Sequence, residues 1–323
     1  MQGRRQKYNG SNLRRLFVCL SLFVVALFAN AAESPVYLLL SSERPYYQEV
    51  SAVFQKALAE QLDAPTVHVH GLDQTLRMAP NSTVVAVGSK ASEHALRRFP
   101  DEDVLSLLMP AAAWDELCSR LPGTGRRAAV VIDQPLQRSV ALAKLLVPSA
   151  KRVGAVFGSV SVASKPLLYD AVQRSGMELI YADLSIDDNP VGVLSPLVQQ
   201  ADLLITVADR AVFNKSVAKW LLYLSFRQKV PVIGFSQSYA KAGALAAVYS
   251  SPDNIGHHGA ELLAFLLTSE EGAAMQAQKW RTYFPKYYTL EVNREVARAL
   301  NITVPTMNSL YQEFQSLLES MRW

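Results

Sequence analysis

A chain of 323 residues that is 50% hydrophobic and 19% charged can bury one large core or two moderate ones, and this composition excludes a disordered protein. Its net charge of +4 is local: Arg4, Arg5, Lys7, Arg14 and Arg15 put +5 into residues 1–31, which hold no Asp or Glu. The remainder is therefore close to neutral, and a nucleic-acid binder argued from charge is excluded.

The N-terminus has the layout of an export signal. A basic stretch ends at Arg15, the uncharged run LFVCLSLFVVALFA covers residues 16–29, and Ala29-Asn30-Ala31 supplies a small-residue cleavage pattern, so that residues 1–31 form a signal peptide. The apolar run is shorter than the ~20 residues of a membrane span, with an uncleaved inner-membrane anchor as the alternative. Phe17 and Val18 are too bulky to make Cys19 a lipid attachment site. Cys118, in the amphipathic stretch WDELCSRL, reads as a small buried hydrophobe.

From Pro35 onward, strands and helices alternate. Short apolar runs at 36–40, 83–87, 104–109 and 128–132, with the alternating run at 66–70, predict five strands. Helical spacing predicts helices over 46–62, 90–99 and 114–121. The cycle then restarts with a helix over 136–146, a strand at 152–157, a helix at 165–175, a strand at 178–182 and a helix at 193–200. Residues 202–250 read as strand, polar loop, helix, strand, polar loop and strand, the three apolar runs lying at 203–207, 230–235 and 244–248. The expected fold is α/β: two doubly wound Rossmann-like lobes built from βαβ units. Tight joins at 133–135, 236–243 and 286–293 predict a hinge of three crossovers. They divide the chain into one lobe of 32–133 plus 236–285 and a second of 134–235 plus 286–323.

The polar residues Asp209, Asn214, Ser236, Gln237 and Tyr239 follow strand ends, the edge at which open α/β sheets bind ligands. AVGSKASEHAL at 86–96 turns from strand to helix at Ser89, which reads as the cap of a helix whose free amides attract an anion. FGSVS at 157–161 repeats this arrangement around Ser159. Two such ends facing across a cleft favour an anionic or zwitterionic ligand. Tyr46 and Tyr47 either stack on that ligand or cover the next helix. No GxGxxG or Walker A cradle occurs, and no cofactor is expected. GFSQS at 234–238 lacks the second glycine of a nucleophile elbow, and SVAK at 216–219 lacks the companion motifs of an S-x-x-K enzyme, so no catalytic residue is assigned. His68 and His70 share a strand face but lack further ligands, so no metal site is assigned either.

Four segments carry a family resemblance: LAKLLVPSAKRVGAVFGS at 142–159, ADLLITVADRAVFN at 201–214, VPVIGFSQSYAKAGALAAVYSSPDNIGHHGAELL at 230–263, and LEVNREVARALNITVP at 290–305. In order and spacing they resemble the ABC transporter substrate-binding proteins of the periplasmic binding protein type I class, the branch that includes aromatic amino-acid binders. The resemblance implies ligand contacts from Ser41, Ser42, Gly88, Ser89, Gln134, Ser159, Asp209, Asn214 and Ser236. Asp209 would meet an ammonium or hydroxyl group, and Tyr46 or Tyr239 would cover an apolar portion. SSERPYYQEV after the first strand and Arg210 within VADRAVFN depart from the family pattern. The function implied is periplasmic capture of a small solute for an inner-membrane ABC permease. The alternative is a sensing or accessory module for a signalling protein or an outer-membrane receptor.

Overall fold

The computed structural model describes residues 35–320 apart from 75, 81 and 270–279; the export signal and Cys19 lie outside the described residues. Two six-stranded sheets organise the chain. The first takes β1 (Val36–Leu40), β2 (Val67–Gly71), β3 (Thr83–Val87), β4 (Asp103–Met109) and β5 (Arg127–Val131), joined late in the chain by β11 (Arg281–Tyr283). Its strands are all parallel, in the order β11-β5-β4-β3-β1-β2. The second takes β6 (Arg152–Phe157), β7 (Glu178–Asp183), β8 (Leu203–Ile205), β9 (Val232–Gly234), β10 (Ala246–Tyr249) and β12 (Thr289–Val292). Here the order is β12-β10-β9-β8-β6-β7, with β12 antiparallel at the edge.

Burial on both faces explains why most strands are continuous apolar runs. Val84, Val85, Ala86 and Val87 are wholly buried in β3, half facing a core with Phe54 and half a core with Trp114. The second sheet is likewise sandwiched, between a core holding Phe157 and Phe314 and another holding Leu194, Leu221 and Val232. Each sheet contains one topological switch point, where the strand order reverses: between β1 and β3 in the first, and between β6 and β8 in the second. Ligands of open α/β sheets bind outside the carboxyl ends of strands at such points.

Two joins differ from the sequence reading. Residues 236–243 do not cross between lobes; they contain a six-residue helix, Gln237–Ala242, that leads to β10 in the same second sheet. The chain crosses afterwards, at Ser250 and Ser251, before the helix Pro252–Thr268 packs on the helix Pro45–Gln61 of the first lobe. The last crossing falls between β11 and β12, earlier than 286–293, because residues 289–292 are themselves a strand. Both corrections arise from strand pairing: β10 is held between its predecessor β9 and β12, which lies far away in sequence.

Phe314 and Leu310 are completely buried where the C-terminal helix Met307–Ser320 packs against the helix Leu136–Leu146. Phe314→Ala is expected to cost about 3–5 kcal/mol, read as a lower urea midpoint at unchanged slope. An unmoved midpoint would show the helix to be dispensable to the second lobe.

Candidate functional site

At the first switch point the chain leaves β1 through Ser41, whose amide donates to the Val87 carbonyl at 3.1 Å. The Ser41 hydroxyl accepts from the Ala91 amide at 2.9 Å, in the first turn of the helix Ser89–Arg98. Ser89 is thus the first helical residue rather than the cap: Gly88 occupies the cap position, and the capping oxygen comes from Ser41. Gly88 has a φ of +90°, and a Cβ there would lie 2.5 Å from the Tyr47 ring and 2.6 Å from the Ser41 hydroxyl. Only glycine meets both conditions. Ser89 is exposed, as is Tyr46, which stands edge-on to Tyr47 at 6.3 Å between ring centres. Ser42 accepts from the Arg44 amide at 3.4 Å.

At the second switch point the expected open helix start is filled by the protein itself. One Asp209 carboxylate oxygen accepts from the amides of Val160 and Ser161, at 3.0 and 2.7 Å, and from the Ser161 hydroxyl at 2.8 Å. The other accepts from the amides of Ala211 and Val212, at 2.8 and 3.2 Å. Asp209 is only 3% exposed. Burial pushes its pKa up, but the hydrogen bonds led by Ser161 outweigh that and hold it below the ordinary carboxylate value. The reading of Asp209 as a partner for a ligand ammonium is therefore replaced by a cap that shapes residues 158–161. A Cβ on Gly158 would strike this carboxylate at 2.6 Å. Ser159 stays exposed at the rim.

Three chain crossings meet between the lobes. Gln134 donates its amide to the Ser250 hydroxyl at 2.7 Å, and Ser250 donates in turn to the Tyr287 carbonyl at 2.7 Å. The Arg138 guanidinium donates to the Gln134 side-chain oxygen at 2.6 Å and to the Pro285 carbonyl at 2.8 Å, and it lies 4.5 Å from the centre of the Tyr288 ring. Gln134 is thus placed at the hinge, and Arg138 and Ser250 are the partners that sequence reasoning missed. A signal for the second crossing was present: Ser251-Pro252 with Asn254 forms a reciprocal capping box at the helix start. Asp133, beside Gln134, accepts from the Ala111 amide at 2.7 Å, and burial raises its pKa. Arg210 reaches from the second lobe to Glu116 of the first at 2.7 Å.

The remaining predicted residues gather elsewhere. Asn214 caps the helix Lys215–Arg227, accepting from the amides of Ser216 and Val217. Together with Ser236 and Tyr239 it borders a hollow of about 810 Å³ within the second lobe. Tyr239 is buried against Phe235, and burial lifts its pKa to about 12. His68 and His70 stack on Tyr37, and among the described residues no group of three metal-ligating side chains forms. Cys118 is buried, and burial lifts its thiol to about 12, which makes it unreactive.

The family model described as ABC transporter substrate binding protein matches residues 126–312. The chain belongs to that family. The tyrosine-binding protein of Clostridioides difficile (strain R20291) is 24% identical over 132 residues, which are 39% of this chain and 37% of that protein. The match therefore spans little more than a third of that relative's length. The ABC domain from Streptococcus pneumonia in complex with L-Trp is 18% identical with a TM-score of 0.56, over 87% of this chain and 98% of that one. The ligand-free, open structure of a substrate binding protein with adhesive properties from Clostridium difficile is 17% identical with a TM-score of 0.62, over 85% and 97%. Both share the two-lobed α/β fold. The family and these neighbours are binding proteins rather than enzymes.

Asp209→Ala strands buried donors and is expected to cost about 1–3 kcal/mol near neutral pH. Because the folded pKa is depressed, that contribution is complete above the unfolded value and fades as pH falls below about 4. Urea melts should show the gap between wild type and variant constant from about pH 7 to 5 and narrowing as pH falls below about 4. A gap independent of pH would remove the carboxylate's charge from the explanation.

Proposed function

We propose that the chain is an exported solute-binding protein that closes its two lobes on a small zwitterion, an amino acid with an aromatic side chain, and passes it to an ABC-type membrane system. The observation that carries this reading is the placement of two sheet switch points on either side of a hinge whose three crossings are bonded to one another. The tyrosine named for one relative and the L-Trp bound in one structural neighbour support the ligand class.

In this reading the first lobe holds the ligand carboxylate. The amides at the start of the helix Ser89–Arg98, with the hydroxyl of Ser89, face an anion at the positive end of the helix, while Ser41 keeps the corner in shape. Asp133 supplies the counter-charge for the ammonium, because a cation beside it relieves the burial that raises its pKa. Tyr46, which is 45% exposed, covers the aromatic side chain. Ser159, with its loop held by Asp209, forms the opposing rim, and Gln134 supports the hinge behind. The Arg210–Glu116 ion pair ties the lobes at the edge of the cleft.

Titrating the purified protein with L-Trp, L-Tyr and L-Phe should raise its melting temperature by a few degrees, since ligand at 100 times its Kd adds about 2.7 kcal/mol. A folded protein that ignores all amino acids yet responds to a sugar or nucleoside would sink the ligand class. Arg210→Ala should weaken binding by no more than about fivefold, because exposed ion pairs contribute up to about 1 kcal/mol. Isothermal titration of wild type and variant measures the difference, and a hundredfold loss would place Arg210 on the ligand itself.

A further inference from the structure

Parallel strands are joined by a crossover that usually carries a full helix along the sheet face. Between β8 and β9 that helix is Lys215–Arg227, of 13 residues; between β9 and β10 it is Gln237–Ala242, of only 6. Beside the long helix lies a hollow of about 810 Å³, lined among others by Phe213, Leu222, Phe226, Tyr239 and Val296. A helix about 10 Å across fills roughly 800 Å³ in two turns, so the hollow has room for such a segment. All its lining residues belong to the second lobe, which separates it from the cleft between lobes.

The chain segment that supplies most of its lining is one-sided in charge. Between Asp209 and Asp253 there is no acidic residue, while Arg210, Lys215, Lys219, Arg227, Lys229 and Lys241 are all basic. Lys215 and Lys219 line the groove, and neither has an ion-pair partner among the described residues. Tyr223 and Phe226 are 50% and 55% exposed, and Trp220 stands at 41% one turn away on the same helix. Exposed aromatic side chains clustered beside an apolar groove are the composition of an interface rather than of an ordinary solvated helix. The Tyr239 hydroxyl, buried without a protein partner among the described residues, adds an unused hydrogen-bonding group beneath the groove.

We propose that this groove docks an acidic amphipathic helix of a partner protein, its apolar stripe resting on Leu222, Phe226 and Val296 and its carboxylates meeting Lys215 and Lys219. Docking on one lobe alone leaves the hinge free, so the partner stays engaged whether the cleft is open or shut. It does not depend on the ligand proposed above.

The test uses a labelled amphipathic helical peptide with leucine on its apolar face and glutamate on its polar face, and a counterpart with lysine in place of glutamate. Fluorescence anisotropy on the full protein should show the glutamate peptide binding at least tenfold tighter. The surface double variant K215E/K219E should invert that preference, and Phe226→Ser should weaken binding of the glutamate peptide, with melting curves confirming that both variants fold. Equal binding of the two peptides, or a preference that survives the double substitution, overturns the proposal. So does binding to anionic lipid vesicles that needs Lys215 and Lys219 when the glutamate peptide does not bind. Self-association lost in the same variant would point instead to a second copy of this chain and would equally overturn it.

Discussion

The architecture depends on one guanidinium. Arg138 sits where all three chain crossings pass, and it bonds the Gln134 side chain of the first and the Pro285 carbonyl of the third, while Gln134 relays to Ser250 of the second. A crossing segment leaves sheet pairing behind and must find other partners for its backbone polar groups. Arginine suits this task because its fork of donors can serve several oxygens at once, and here its face also rests on Tyr288. Burial at this point lowers the Arg138 pKa, and a guanidinium keeps its charge in proteins all the same. Every relative movement of the lobes has to turn about this cluster or break it.

The two lobes repeat a topology but not its electrostatics. In both sheets the switch point brings a strand-end loop under the start of a helical segment, where free amides collect. The first lobe spends only one of those amides on Ser41. The second fills its equivalent with the Asp209 carboxylate, which takes five hydrogen bonds from residues 160, 161, 211 and 212. The anion site proposed above therefore falls in the first lobe, a division that a symmetric reading of Ser89 and Ser159 does not contain.

Most of the fold was legible in the chain. Strands such as Thr83–Val87 are buried on both faces and so read as unbroken apolar runs, and helices such as Leu136–Leu146 show their buried face at helical spacing. Arg281–Tyr283 and Thr289–Val292 were not legible as strands, because they are three and four residues long with mostly half-buried side chains and lie at sheet edges. Their existence rests on the partner strands β5 and β10 rather than on any pattern of their own. The site was legible as a set of strand-end loops but not as roles: Asp209, Asn214 and Ser236 all follow strands, yet one is a buried cap, one a helix cap and one the edge of a separate groove.

The sequence by itself determined the class of fold, the number of lobes, the family and the edge of each sheet to which the polar loops belong. These follow from patterns confined to neighbouring residues: apolar runs, helical periodicity, turn chemistry and the order of quoted segments. Only the tertiary structure decided which polar groups are already satisfied. Ser41 caps a helix 50 residues on, Asp209 reaches back 48 residues to Ser161, and Arg210 meets Glu116 across 94. A buried carboxylate and a ligand-ready one look alike in a sequence. Their difference lies in whether distant backbone amides arrive within hydrogen-bond distance, and that is set by the packing of the whole chain.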